Sequence, residues 1–216
     1  MGFDDGLFVL PELTENQTVI KNQKPFPGEL IIREAIGLQE QRSETKRTLT
    51  ERCEMAAELI NGNSISVAWC NLNVEGDLLT KLIDGAVQVT GSDSDDKKEH
   101  ILESFTNGDI KVLVTKPKIS GFGLNWQHCH HTTWFPSHSF EQYYQGIRRF
   151  WRFGQKKPVV VDVVTTQGGL SVLRNLQKKA RKADKMFTEL TRHMNNSLRI
   201  KTDIKFEKET EVPAWL

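Results

Sequence analysis

VLVTKPKISGFGLNWQHCHHTTWFPSHSFEQYYQGIRRFWRFGQKKPVVVDVV, Val112–Val164, is the stretch whose reading decides the fold. Val112-Leu113-Val114-Thr115 is a short apolar run of the kind that fills a parallel sheet buried on both faces. Lys116 to Asn125 follows as a loop in which Gly121 and Gly123 permit close approach of backbone to a ligand. His131 to Phe135 reads as a second strand and Pro158 to Val164 as a third. Between them, Phe140, Tyr144, Ile147 and Trp151 form an apolar stripe at helical spacing, and Gln142, Gln145, Arg149 and Arg152 a polar one, 3, 4 and 3 apart. Two guanidiniums on one anchored helix suit a polyphosphate, because the planar fork stays charged and binds phosphate oxygens through paired hydrogen bonds. A solvated basic face on a core helix produces the same pattern.

Upstream the alternation continues. Ser64 to Cys70 and Val87 to Ser92 read as strands, the latter ending in a Gly-Ser turn. A helix to about Asn107 is capped by Asp96 with Glu99 and turns Ile101, Leu102 and Phe105 toward the sheet. Ser43 to Asn61 reads as helical, with Thr48 and Glu51 marking either a helix start or a coincidence inside one helix, and it buries Leu49, Cys53, Ala56, Ala57 and Ile60. Strands alternating with helices specify an α/β fold, a mostly parallel sheet of about five strands with helices on both faces. Ligand-facing loops then follow the strand carboxyl ends, which places Thr90-Gly91-Ser92 and Thr115 to Asn125 on one edge.

The ordered series of strand, Gly-x-Gly-Leu-Asn loop, strand, arginine segment, Gly154-Gln155 and strand resembles motifs V and VI of superfamily 2 helicases. The resemblance is to their Swi/Snf-type branch, and to its compact phage and bacterial members in particular. It covers Leu59 to Val164 strongly and the flanks weakly. It implies the second, C-terminal RecA-like lobe of a motor. Neither a Gly-x-x-x-x-Gly-Lys-Ser/Thr phosphate loop nor an Asp-Glu-x-His box occurs in this sequence. In that family those groups sit on the first lobe, which would hold most of the ATP and its Mg²⁺. The resemblance further implies Arg149 and Arg152 as catalytic arginines, and Gln145, Gly121 and Gly123 as ATP-facing. Ser92, Thr115, Lys116, Lys118, Ser120 and Asn125 become contacts to the DNA backbone. The expected partners are sequence-independent double-stranded DNA and the N-terminal lobe; no oligomer is implied. An RNA-directed superfamily 2 lobe and a non-catalytic nucleic-acid-binding module remain alternatives.

Domain organisation reads as an extended linker over 1–42, the lobe over 43–168, a basic amphipathic helix over 169–200 and a charged tail over 201–216. The helix carries Leu173, Leu176, Ala180, Ala183, Phe187, Leu190 and Met194 at alternating steps of 3 and 4. The small alanines favour close packing on the lobe, or a brace, over a coiled coil. A net charge of +1 conceals an asymmetry: residues 145–201 hold 14 Lys and Arg against 3 Asp and Glu, pointing to a localised polyanion surface.

No run of about 18 apolar residues and no signal pattern is present. Three cysteines, Cys53, Cys70 and Cys129, form no Cys-x-x-Cys spacing, which argues against a disulfide framework and for the cytoplasm. The run His128-Cys129-His130-His131 suggests zinc. Neighbours at a strand entrance point to opposite faces and cannot close one tetrahedron, so packing is the reading and no metal is expected.

Overall fold

The computed structural model describes residues 10–21, 25–26, 28–63, 65–119 and 124–200, with side chains to 193. Ser120, Gly121 and Gly123 therefore lie outside the described residues, as does the tail from 201. The chain divides into two units, residues 1–177 and 178–216.

In the first unit six strands form one sheet, all parallel, in the order β1-β6-β5-β2-β4-β3. The strands are β1 (Leu13–Ile20), β2 (Ser66–Trp69), β3 (Ala86–Gln88), β4 (Val112–Thr115), β5 (His131–Trp134) and β6 (Val159–Thr166). The helices are α1 (Gly37–Arg47), α2 (Leu49–Asn61), α3 (Asn73–Leu82), α4 (Asp95–Asn107), α5 (Phe140–Ile147) and α6 (Leu170–Ile200), the last continuing into the second unit. This is the expected α/β architecture, a parallel sheet flanked by helices and followed by a long helix, with six strands in place of about five.

Alternate strand residues supply two cores. On one face Ala68, Cys70, Val112, Val114 and Val164 meet Cys53, Ala56, Ala57 and Ile60 of α2 and Leu79 of α3. On the other, Val67, Trp69, Leu113, Trp134, Val161 and Val163 meet Ile101 and Phe105 of α4, Tyr143 and Ile147 of α5, and Leu173 and Leu176 of α6. Burial on both faces is why β2 and β4 read as near-continuous apolar runs.

Three differences from the sequence reading, and one point it left open, have local causes. Within 1–42, Leu13–Ile20 is a paired strand, matched residue for residue with Val159–Thr166. Its polar Glu15, Asn16 and Gln17 are exposed along the sheet edge, as an edge strand tolerates. The open point is Thr48, which is a helix start: α2 begins at Leu49 with Thr48 as its N-cap, whose ψ of 21° leaves the helical range. The cap of α4 is Ser94, whose hydroxyl accepts the Lys97 N–H, and not Asp96. Along α6, Leu173 and Leu176 are buried, but Phe187 and Leu190 of the second unit are half exposed.

Across the sheet runs a belt of polar groups. Ser66 Oγ lies 2.8 Å from His131 Nδ1, and His131 Nε2 lies 2.8 Å from Asp162 Oδ2. Asn16 Nδ2 donates to Asp162 Oδ1 at 2.8 Å. Ser66, His131 and Asp162 are buried, so each must find its partner inside the protein.

Candidate nucleotide-facing site

α5 starts at Ser139, whose hydroxyl accepts the Gln142 N–H at 3.3 Å. It descends against Trp134 so closely that a β-carbon on Gly146 would lie 2.8 Å from the indole. The helix ends at Ile147, two residues before Arg149. The cause is tertiary: Trp126 donates its N–H to the Arg149 carbonyl at 3.0 Å, and Phe150 enters the core between Trp126 and Trp69, at ring separations of 5.8 and 6.4 Å. The expected single stripe of Gln142, Gln145, Arg149 and Arg152 is therefore not formed. The expected apolar stripe also shifts, with Tyr143, Gly146, Ile147 and Phe150 buried and Tyr144 exposed.

From Ile147 to Gln155 the chain folds into consecutive tight turns, closed by Phe150 N–H to Ile147 carbonyl at 3.0 Å and Gln155 N–H to Arg152 carbonyl at 3.1 Å. Gly154 takes φ +91°, a conformation that disfavours side chains, with Gln127 packed against it. Gln127 also donates to the Phe153 carbonyl. Gln155 is buried and acts as a clip: its amide donates to the Cys129 carbonyl at 2.9 Å and the Phe150 carbonyl at 3.4 Å. Its oxygen accepts the Lys157 N–H at 3.0 Å. The Gly-Gln signature of the sequence thus has a structural function, fixing the turn that carries the arginines.

The two arginines differ. Arg149 is 6% exposed, its guanidinium 5.4 Å from the Trp126 ring, and burial pushes its pKa down from the ordinary arginine value. Arg152 is exposed and forms no ion pair among the described residues. Arg148, immediately before Arg149 and given no role in the sequence reading, stacks on Tyr144 at 5.1 Å and Trp151 at 4.6 Å. Trp151 is itself tied to the β1 approach, its indole N–H donating to the Pro11 carbonyl at 2.7 Å. Gln145, expected to face ATP, donates to Glu141 of its own helix at 3.1 Å.

Of the expected DNA contacts, Ser92, Lys116 and Lys118 follow the carboxyl ends of β3 and β4, on one edge of the sheet, and Thr115 is the last residue of β4. There Thr90 donates through its N–H to Asp93 at 2.7 Å, and its hydroxyl lies 3.0 Å from that of Ser92. Lys97, with Thr90, holds the Asp93 carboxyl down at about 2. Lys116 reaches Asn73, and Lys118 is exposed. Thr115 is a correction: it is fully buried with its hydroxyl turned toward the Val89 carbonyl at 3.5 Å, because a residue inside a two-faced strand has no solvent side. Asn125 is exposed next to Trp126, whose N–H bonds the arginine turn.

The histidine run is spread out. His128 packs on Phe105 at 5.0 Å, and burial lowers its pKa, while His131 belongs to the polar belt. The Cys53, Cys70 and Cys129 thiols are buried and pushed up to about 12, chiefly by desolvation, so they remain protonated near neutrality. Two buried groups were invisible in the sequence. Arg52 and Glu75 pair at 2.8 Å, Glu75 also accepts the Asn71 and Leu72 N–H groups at 2.8 and 2.9 Å, and Arg52 stacks on Phe135 at 4.7 Å. Only the apposition of α2 and α3 creates that pair.

No helix among the described residues is long and apolar enough to cross a membrane. No family model matches the chain. Over 94 residues it is 34% identical to the bifunctional helicase and thymine dioxygenase JBP2 of Leishmania infantum, and to the same extent to that of Leishmania major. The match takes in 42% of this chain and spans only 9% of the length of those relatives. Among solved structures, the C-terminal domain of the DEAD-box protein Dbp5 aligns with 63% of this chain and 80% of its own, at 17% identity and a TM-score of 0.49. The C-terminal part of the Fun30 ATPase domain aligns with 63% and 45%, at 15% identity and a TM-score of 0.48. The chain is thus similar to a segment of proteins described as helicases.

Proposed function

We propose that this chain is the C-terminal motor lobe of an ATP-dependent translocase of the Swi/Snf type, of its compact phage and bacterial branch, acting on double-stranded DNA in the cytoplasm. The observation that carries the reading is Arg152, an exposed guanidinium on a turn clipped by Gly154 and Gln155. A positioned cation of this kind stabilises charge on a transferring phosphoryl group when a second lobe brings ATP and Mg²⁺ to it. Arg149, stacked on Trp126, serves the same nucleotide as a positioning residue, holding the shape of the turn. The loops bearing Ser92, Lys116 and Lys118 supply the DNA backbone contacts, which carry no base information. That the Leishmania relatives join a helicase to an activity on thymine, a DNA base, supports DNA over RNA.

The test uses the chain joined to its N-terminal lobe. Arg152→Ala should abolish duplex-stimulated ATP hydrolysis, a loss of about 10³-fold or more, with thermal unfolding unchanged. Arg152→Lys should recover little, because the bidentate fork is gone. Full turnover in Arg152→Ala would leave the turn as a solvated basic surface and remove the motor reading. Stimulation by RNA in place of duplex DNA would move the protein to the RNA-directed class.

A further inference from the structure

A cavity of about 430 Å³ opens at the carboxyl ends of β2, β5 and β6, away from the arginine turn. Its position follows from the topology. β2 leads on to β3 and β4 on one side of the sheet, whereas β5 and β6 lie on the other, so the strand order reverses between β2 and β5. In an open parallel sheet the connections leave in opposite directions at such a point and a crevice remains between them. Here Asn71, after β2, donates to the Phe135 carbonyl, after β5, at 3.2 Å and so spans the floor.

Besides the Glu44 carboxylate, which is paired with Arg47, the lining has three kinds of surface that a ligand would meet. Leu72, Phe135 and Val172 give apolar walls. The Ser137 hydroxyl, also in the lining, is buried and has no hydrogen-bond partner among the described residues, an orphan whose burial is costly unless a ligand satisfies it. Arg42 and Lys46, exposed and one turn apart on α1, put two cations at the mouth. No ion pair among the described residues involves either. A ligand matching all three has apolar faces, a polar edge and an anionic end. Its volume is that of a small molecule, and the cavity is too small for a lipid chain with its headgroup.

We propose that this cavity is a nucleotide pocket, taking the heterocycle of one nucleoside monophosphate unit against Leu72, Phe135 and Val172, its edge to Ser137 and its phosphate to Arg42 and Lys46. The unit comes either from a free nucleotide or from a nucleotide swung out of a strand. The inference does not use the ATP-facing arginines, and its test does not read hydrolysis, so either reading can fail without the other.

The experiment is a methyl-labelled NMR titration of the full 216-residue chain. Thymidine monophosphate and adenosine monophosphate should shift the Leu72 and Val172 methyls saturably, while inorganic phosphate and butyl phosphate should leave them in place. Arg42→Gln with Lys46→Gln, both on the surface, should weaken binding about tenfold. Val172→Phe, which fills the cavity, should abolish it, with the methyl spectrum elsewhere reporting an intact fold. Duplexes carrying one bulged nucleotide or one abasic bulge distinguish the sources. Tighter binding of the bulged duplex assigns the pocket to an extruded nucleotide, and preference for the monophosphate assigns it to a free one. Unmoved methyls at saturating nucleotide, shifts that survive both variants, or butyl phosphate binding as well as thymidine monophosphate would each overturn the proposal.

Discussion

Removing the Gln155 clip isolates one side chain whose contribution can be worked out. Gln155→Ala deletes a 2.9 Å donation to the Cys129 carbonyl, a weaker 3.4 Å donation to the Phe150 carbonyl and a 3.0 Å acceptance from the Lys157 N–H. Two well-formed bonds at about 1 kcal/mol each, plus about 1–3 kcal/mol for leaving a buried carbonyl unpaired, sum to about 3–5 kcal/mol. For a domain of this size that lowers Tm by about 6–20 °C. Urea denaturation followed by tryptophan fluorescence reads the free energy directly, since Trp126 sits against the turn. Gln155→Glu sharpens the experiment: above the carboxylate range it sets an acceptor against two carbonyl acceptors and should be more damaging than alanine. A Gln155→Ala protein within about 0.5 kcal/mol of the parent, or a glutamate variant more stable than alanine, would refute the clip as the element holding the arginine turn.

Arg52→Leu leaves the buried Glu75 carboxylate with its two backbone N–H donors but no cation, and should cost about 3–5 kcal/mol in chemical denaturation; adding Glu75→Gln should return part of that. The Asp93 carboxyl, held below its ordinary value of 3.8 by Lys97 and Thr90, stabilises the fold fully above that value. This contribution is lost as pH falls through 3.8 toward about 2. The stability gap between the parent and Asp93→Asn should therefore be present at neutral pH and close at the acid end; a gap independent of pH would exclude the carboxylate as its source.

The central strands and α2 were legible because period and composition suffice: Val112–Thr115 and Val159–Thr166 are apolar runs, and Cys53, Ala56, Ala57 and Ile60 repeat on one helical face. β1 was hidden because Glu15, Asn16 and Gln17 make an edge strand look like a loop. The arginine stripe misled for a tertiary reason. Helical spacing over 140–152 is unbroken in sequence, and the helix stops only because Trp126 takes the Arg149 carbonyl and Phe150 is drawn between two indoles. The Gly154-Gln155 pair was legible as a signature but not as a clip, since its stronger partner, the Cys129 carbonyl, lies 26 residues away along the chain. The cavity mouth at Arg42 and Lys46 left no trace in periodicity, because it depends on where α1 lies relative to strands far along the chain.

The polar belt has a kinetic corollary. Its members, Asn16, Ser66, His131 and Asp162, come from four strands adjacent in space and distant along the chain, so no short loop closure brings any two of them together. Its hydrogen bonds can be completed only once β1, β6, β5 and β2 are all in register, from which we predict that they form after the rate-limiting step of folding. Ser66→Ala should then accelerate unfolding by about the full loss of one bond and leave the refolding limb of the chevron unmoved. Slowed refolding would place the belt in the nucleus. Formed late, it acts as a latch whose stabilisation lengthens the lifetime of the assembled sheet without hastening its assembly.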